Sequence, residues 1–110
     1  MSGALHDAAL EALGDPNRRA ILEVLGEGPA AVRTIADRLP ISRPAVSRHL
    51  RLLRDAGLVD HRPSGTRRVY ALRADGVEAV RAYFDEVWRE AAARFRLTAE
   101  NVDPGHGAAP

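Results

Sequence analysis

The sequence contains no cysteine. That absence excludes disulfides, thiolate metal sites, thiol redox sensing and a cysteine nucleophile together. It contains no lysine either: all 16 basic residues are arginine. Biased codon usage gives such a composition by itself, but arginine is also the cation better suited to guanine edges and phosphates. Aromatic residues are few, namely Tyr70, Tyr83, Phe84, Trp88 and Phe95. No apolar run approaches the roughly 20 residues of a membrane span, and the opening residues lack the pattern of a secretory signal. A cytoplasmic protein is expected. There is no glycine-rich phosphate loop, no metal triad and no Ser-His-Asp set on a plausible scaffold. Acidic pairs such as Asp85-Glu86 read as solvent-facing charge, so the chain is not expected to be an enzyme and no cofactor is expected.

What is present fits one globular domain. The length of 110 residues suits a single domain, and an apolar fraction of 45% excludes disorder of the main body. A domain of this size gains from a partner subunit that covers more of its apolar surface. Net charge is only +1, but its distribution is uneven. Residues 43–68 hold Arg43, Arg48, Arg51, Arg54, Arg62, Arg67 and Arg68 against Asp55 and Asp60. The rest of the chain is slightly acidic. A basic segment on an acidic body is the footprint of a protein that meets a polyanion.

Spacing predicts the elements. Leu5, Ala8, Ala9, Ala12 and Leu13 recur at helical intervals and predict a first helix ended by Gly14. Asp15-Pro16 restarts a helix as N-cap and first helical residue, with Ile21, Leu22 and Leu25 as its buried stripe. Val32, Ile35, Ala36 and Leu39 predict a short helix over 31–39, stopped by Pro40. Ser42 caps a fourth helix that runs to about Ala56 with Val46, Leu50 and Leu53 inward. Strands follow over 58–62 and 66–72, joined by a turn at Pro63-Ser64-Gly65. Asp75-Gly76-Val77-Glu78 predicts a capping box for a last helix. The expected fold is mostly α with a small β-hairpin wing, in the order α-α-α-α-β-β-α, which is the winged helix–turn–helix plan. Residues 1–98 form the domain in this reading, and residues 99–110 a flexible tail.

Inward Val46, Leu50 and Leu53 leave Arg43, Pro44, Ser47, Arg48 and Arg51 on the outward side of the fourth helix. Small residues and arginines fit a major groove about 12 Å wide. The candidate DNA-binding residues are therefore Ser42, Arg43, Pro44, Ser47, Arg48, His49 and Arg51 on the helix, and Arg62, Thr66, Arg67 and Arg68 on the wing. For His49, beside the buried stripe, packing inside the fold competes with a phosphate contact. Strand alternation sets Arg67 and Arg68 on opposite faces, so one of them at most is expected to face DNA squarely. Leu5, Ala9, Phe84, Val87, Trp88, Ala91 and Phe95 supply more apolar surface than one small core needs, and a two-fold interface is expected from them. The expected partners are an operator duplex and a second copy of the chain.

Four stretches resemble the ArsR-type (arsenic-repressor-like) regulators. Leu13-Gly14-Asp15-Pro16-Asn17-Arg18-Arg19-Ala20-Ile21-Leu22 is similar to their opening signature. Ser42-Arg43-Pro44-Ala45-Val46-Ser47-Arg48-His49-Leu50 resembles their recognition helix, and Leu53 to Val59 with Arg67 to Leu72 resembles their wing. The resemblance implies a homodimeric repressor with its first and last helices at the dimer interface. It also marks a departure. Metal-sensing members carry a cysteine pair where this chain reads Ala30-Ala31-Val32-Arg33-Thr34-Ile35, and the last helix has no histidine. The four histidines, His6, His49, His61 and His106, lack ligand spacing. The resemblance is thus to the metal-independent branch, with a small-molecule effector of unspecified chemistry left open.

Overall fold

A computed structural model of the chain describes residues 2–100, and the side chains of residues 7–99. The elements are α1 (Ser2–Ala12), α2 (Pro16–Gly26), β1 (Ala30–Ala31), α3 (Val32–Asp37), α4 (Arg43–Asp55), β2 (Val59–Ser64), β3 (Arg67–Leu72) and α5 (Ala74–Glu100). The winged helix–turn–helix order expected from the sequence is present, with one strand added. The chain divides into two contact units, residues 1–80 and 81–110. From residue 101 the expected tail lies outside the described residues.

The core sits in the first unit. Ile21, Ile35, Val46, Leu50, Leu53 and Val59 are fully buried, and Val24, Leu25, Leu58 and Tyr70 close around them. Burial of each large apolar side chain contributes about 1.5–3 kcal/mol relative to leaving it in water. The three residues that predicted the inner stripe of α4 are thus its innermost residues.

Caps set where the helices start. Asp15 opens α2: its Oδ1 accepts the backbone N–H groups of Asn17 at 2.7 Å and Arg18 at 3.2 Å. Ser42 opens α4, its Oγ accepting the N–H of Ala45 at 3.2 Å. The last helix departs from expectation. It begins at Ala74, so Asp75 lies in its first turn, where it accepts from Arg73 and from the N–H of Gly76. The capping box with Asp75 as N-cap is not formed. Gly76 is required for another reason. A Cβ there would stand 1.9 Å from the carbonyl oxygen of Gly57, so the first turn of α5 rests backbone to backbone on the end of α4.

The sheet has the order β1-β3-β2 and is antiparallel. Ser64 pairs with Arg67, which makes Gly65-Thr66 the two-residue loop of the wing. Gly65 takes a positive φ of 65° there, as the first residue of such tight hairpins often must. Pro63 and Ser64, expected in the turn, belong to β2 instead. Pro63 is tolerated because β2 is an edge strand, where a missing N–H breaks no ladder on the open side. The added strand, β1, pairs Ala30 with Tyr70 and Ala31 with Val69.

Candidate nucleic-acid interface

Helix α4 presents two chemically opposed sides. Val46, His49, Leu50 and Leu53 are buried. Ser42, Arg43, Pro44, Arg48 and Arg51 are exposed, and Ser47 is half-buried between them. Pro44 costs nothing in the first turn, where its missing N–H would have had no helical partner. The Ser42 cap leaves the opening turn of the helix fixed with its arginines outward.

The wing carries the other half of the site. Arg62, Thr66, Arg67 and Arg68 are all exposed. Arg62 lies on β2 opposite Val69, while Arg67 and Arg68 open β3. Both of those arginines border one cleft of about 290 Å³, together with Arg43 from α4 and with Ala31, Val32 and Arg33. Alternation along the strand therefore does not separate them at this cleft, because it lies at the strand's first two residues, beside the turn. Arg33 was not among the residues singled out from sequence. It stands 26 positions before Val59, the first residue of the wing strands, and the pairing of β1 with β3 brings it alongside.

His49 is corrected. It is 9% exposed and packs with the core side of α4, so it does not present its ring to a duplex. Its Nδ1 is buried without a hydrogen-bond partner among the described residues. Its position explains this: it follows Val46 by three residues and directly precedes Leu50, inside the inward arc of the helix. The imidazole also bears on Asp15. Desolvation pushes the Asp15 carboxyl up. The N–H groups of Arg18 and Asn17 and the charges of His49 and Arg18 outweigh that and hold it below its ordinary value.

Other arginines are committed to the fold. Arg18 Nε donates to the carbonyl of Ala12 at 2.8 Å, and Arg19 Nη1 to that of Leu13 at 2.7 Å, closing the end of α1. Arg38 grips Glu27 through two bonds of 2.6 and 3.0 Å. Those bonds lower the Glu27 carboxyl and raise the Arg38 guanidinium. Arg73 holds Asp75 in the same way. Arg54, within the basic segment, is bonded to a base rather than an acid. Its Nη1 lies 2.6 Å from Nε2 of His61. Arginine can only donate, so Nε2 is the acceptor of this pair. His61 in turn packs on Tyr70, ring centres 5.1 Å apart.

The expected dimer residues divide into three groups. Ala9 is corrected: at 3% exposed, it belongs to the core of its own chain. The side chain of Leu5 lies outside the described residues. Phe84, Val87, Trp88, Ala91 and Phe95 are exposed, Trp88 to 77% and Phe95 to 73%. Leu97 is exposed as well, but it lies two residues past Phe95 and so on another side of the helix. Among the described residues, no cluster of three or more His, Asp or Glu side chains is placed to hold a metal ion. No described helix is long and apolar enough to cross a membrane.

Comparison with known proteins agrees with this geometry. Residues 13–62, from the turn before α2 to the middle of β2, match the model of a helix-turn-helix domain family. The chain is 53% identical over 85 residues to the HTH-type transcriptional regulator Rv2034 of Mycobacterium tuberculosis, covering 77% of this chain and 79% of that protein. Its structure is similar to that of an ArsR-like transcriptional regulator from Rhodococcus sp. RHA1. That match has a TM-score of 0.79 and 25% identity, over 94% of this chain and 97% of the other. It is also similar to a homodimeric winged helix-turn-helix DNA-binding domain from Mycobacterium bovis, with a TM-score of 0.64 and 29% identity over 84% and 82% of the two chains. Those relatives are transcriptional regulators rather than enzymes. With a capped, arginine-faced second helix of the motif and an arginine-edged wing beside it, the chain belongs to the ArsR family of winged helix–turn–helix transcriptional regulators.

Proposed function

We propose that the chain acts in the cytoplasm as a homodimeric repressor that binds an inverted-repeat operator. Helix α4 enters the major groove. Arg43 and Arg48 reach base edges or the phosphates beside them, while Ser47 and Arg51 position the backbone. The wing, through Arg62, Thr66, Arg67 and Arg68, follows the flanking phosphates or a narrow minor groove. One observation carries this reading. Arg43, Arg48, Arg51, Arg62, Arg67 and Arg68 are exposed, and among the described residues none has a hydrogen-bond or ion-pair partner in its own chain. Uncompensated charge of one sign on a shaped surface costs stability and is repaid when a polyanion is bound. Repression follows from occupancy, since a dimer seated on a promoter excludes other proteins from it.

Dimerisation supplies selectivity. One helix reads too few base pairs, whereas two related helices read half-sites about 10–10.5 base pairs apart. The exposed stripe of Phe84, Val87, Trp88, Ala91 and Phe95 is the surface assigned to the partner.

A mobility-shift series against salt tests the DNA reading, using a duplex selected by this protein from a random pool and a scrambled duplex. Affinity for the selected duplex falls linearly on logarithmic axes as salt rises, and the scrambled duplex binds far more weakly. Equal binding of the two duplexes removes sequence-specific regulation. Sedimentation tests the assembly. The wild type sediments as a dimer, and Trp88→Glu yields monomers with weakened DNA binding, because a charge would be buried at the seam. Wild-type monomers at micromolar concentration refute the dimer.

A further inference from the structure

The cleft between α3, the start of α4 and the wing is lined by four guanidinium-bearing residues, Arg33, Arg43, Arg67 and Arg68, and by no acidic residue. Its other walls are Ala31 and Val32, whose small apolar side chains offer no counter-charge. All four arginines are exposed, and none of them forms an ion pair or hydrogen bond among the described residues. Elsewhere on the molecule Arg38 is paired with Glu27 and Arg73 with Asp75.

The cleft exists because of β1. The antiparallel pairing of Ala30 with Tyr70 and Ala31 with Val69 leads one chain onward to Val32 and Arg33, and the other back to Arg68 and Arg67. The first helix of the helix–turn–helix motif is thereby tied to the root of the wing, and a guanidinium from each meets that of Arg43. Four cations around one opening of about 290 Å³ repel one another. The opening admits a tetrahedral oxyanion, and arginine forks match its oxygens in pairs.

We propose that this cleft is a phosphate seat that receives one backbone phosphate of the bound duplex, with Arg33 as a DNA-binding residue outside the recognition helix and wing. The proposal rests on the DNA reading given above. In it, Arg33 and Arg67 clasp the phosphate from two elements, so α3 and the wing close on the same strand while α4 lies in the groove. The contact carries no sequence information. It fixes register and adds one released counterion to the binding equilibrium.

Arg33→Gln, Arg33→Lys and the wild type are compared by fluorescence anisotropy on the selected duplex and the scrambled duplex, from low to high salt. Urea unfolding midpoints confirm that the variants fold. Arg33→Gln is expected to bind both duplexes more weakly by the same factor, roughly threefold to tenfold, and its salt slope is shallower by roughly 0.9, the increment of one phosphate. Arg33→Lys keeps the slope. In parallel, inorganic pyrophosphate is titrated into the protein while the arginine Nε–H resonances are followed. Weak, unsaturated shifts are expected in the free protein, together with larger shifts at Arg33 and Arg67 on adding duplex.

Superimposed salt curves for Arg33→Gln and the wild type overturn the seat while leaving the DNA reading intact. Saturation of Arg33 and Arg67 by pyrophosphate with no effect on duplex binding also overturns it, since the cleft then takes a free anion. If the wild type itself shows no salt-dependent duplex binding, the DNA reading fails and the seat fails with it.

Discussion

Two sets of arginines occupy this small protein, and their surroundings differ completely. Arg18, Arg19, Arg38, Arg54 and Arg73 each hydrogen-bond within their own chain: to the carbonyls that end α1, to Glu27, to His61 and to Asp75. Arg33, Arg43, Arg48, Arg51, Arg62, Arg67 and Arg68 have no such partner among the described residues, and they lie on α3, α4 and the wing. The residue type is the same in both sets. What separates them is whether the fold supplies an acceptor. The first set spends its donors on closing helix ends and loops, and the second keeps them for an acceptor outside the chain. Arg54 shows why a count along the sequence is not enough, since it sits among the second set and belongs to the first.

That division can be broken from either side. The largest expected effect lies in the scaffold beneath both sets. Gly76→Ala drives a methyl group into the Gly57 carbonyl and should cost on the order of 3 kcal/mol, read as a drop in urea midpoint. Gly26→Ala, where a Cβ meets nothing within 4 Å, is the matched control and should be neutral or mildly stabilising. Next comes the bare set. Arg48→Ala should lose about 1–3 kcal/mol of specific binding if it holds a guanine edge, with the urea midpoint unchanged. The bonded set should behave in reverse: Arg18→Ala should lower stability by about 1 kcal/mol, since it orphans the Ala12 carbonyl, and should leave the salt slope of DNA binding unaltered. An Arg18→Ala variant with normal stability and weakened DNA binding would erase the distinction.

The smallest effect is a pH dependence. The Asp15 carboxyl is held below its ordinary value near 3.8 by the α2 N–H groups, which outweigh desolvation. A group depressed in the folded state stabilises above its unfolded pKa and loses that contribution as pH falls through the folded value. The cap is therefore fully present at neutral pH and fades below about pH 4. Asp15→Asn should flatten that acid limb of the unfolding curve, and an unchanged limb would show that the cap is not its source.

The sequence was most informative where one local rule decided the outcome. Ser42-Arg43-Pro44 placed the start of α4, and the spacing of Val46, Leu50 and Leu53 placed its inner side, because a cap and a helical period act over a few residues. It was least informative where the deciding partner was remote. Ala30-Ala31 has no strand-forming preference, and it becomes a strand because Val69 and Tyr70, some forty residues on, offer an open edge. Arg33 was overlooked for the same reason. The wing turn lies at Gly65-Thr66 rather than at Pro63-Ser64-Gly65, because Pro63 favours turns but is equally accepted by an edge strand. His49 was legible as a neighbour of the buried stripe, but its polarity competed with its position, and position prevailed. The capping box failed because the helix starts at Ala74, one residue earlier, and the Asp75 carboxylate accepts from Arg73 and Gly76 instead.

The contact between Gly76 and Gly57 has a mechanical consequence. Most helix junctions are cushioned by side chains, which change rotamer and absorb small shifts. Here the main chain bears directly on the main chain, so the joint has no spring. A shift of the first turn of α5 toward the Gly57 carbonyl meets main chain at once, with no rotamer change available to take it up.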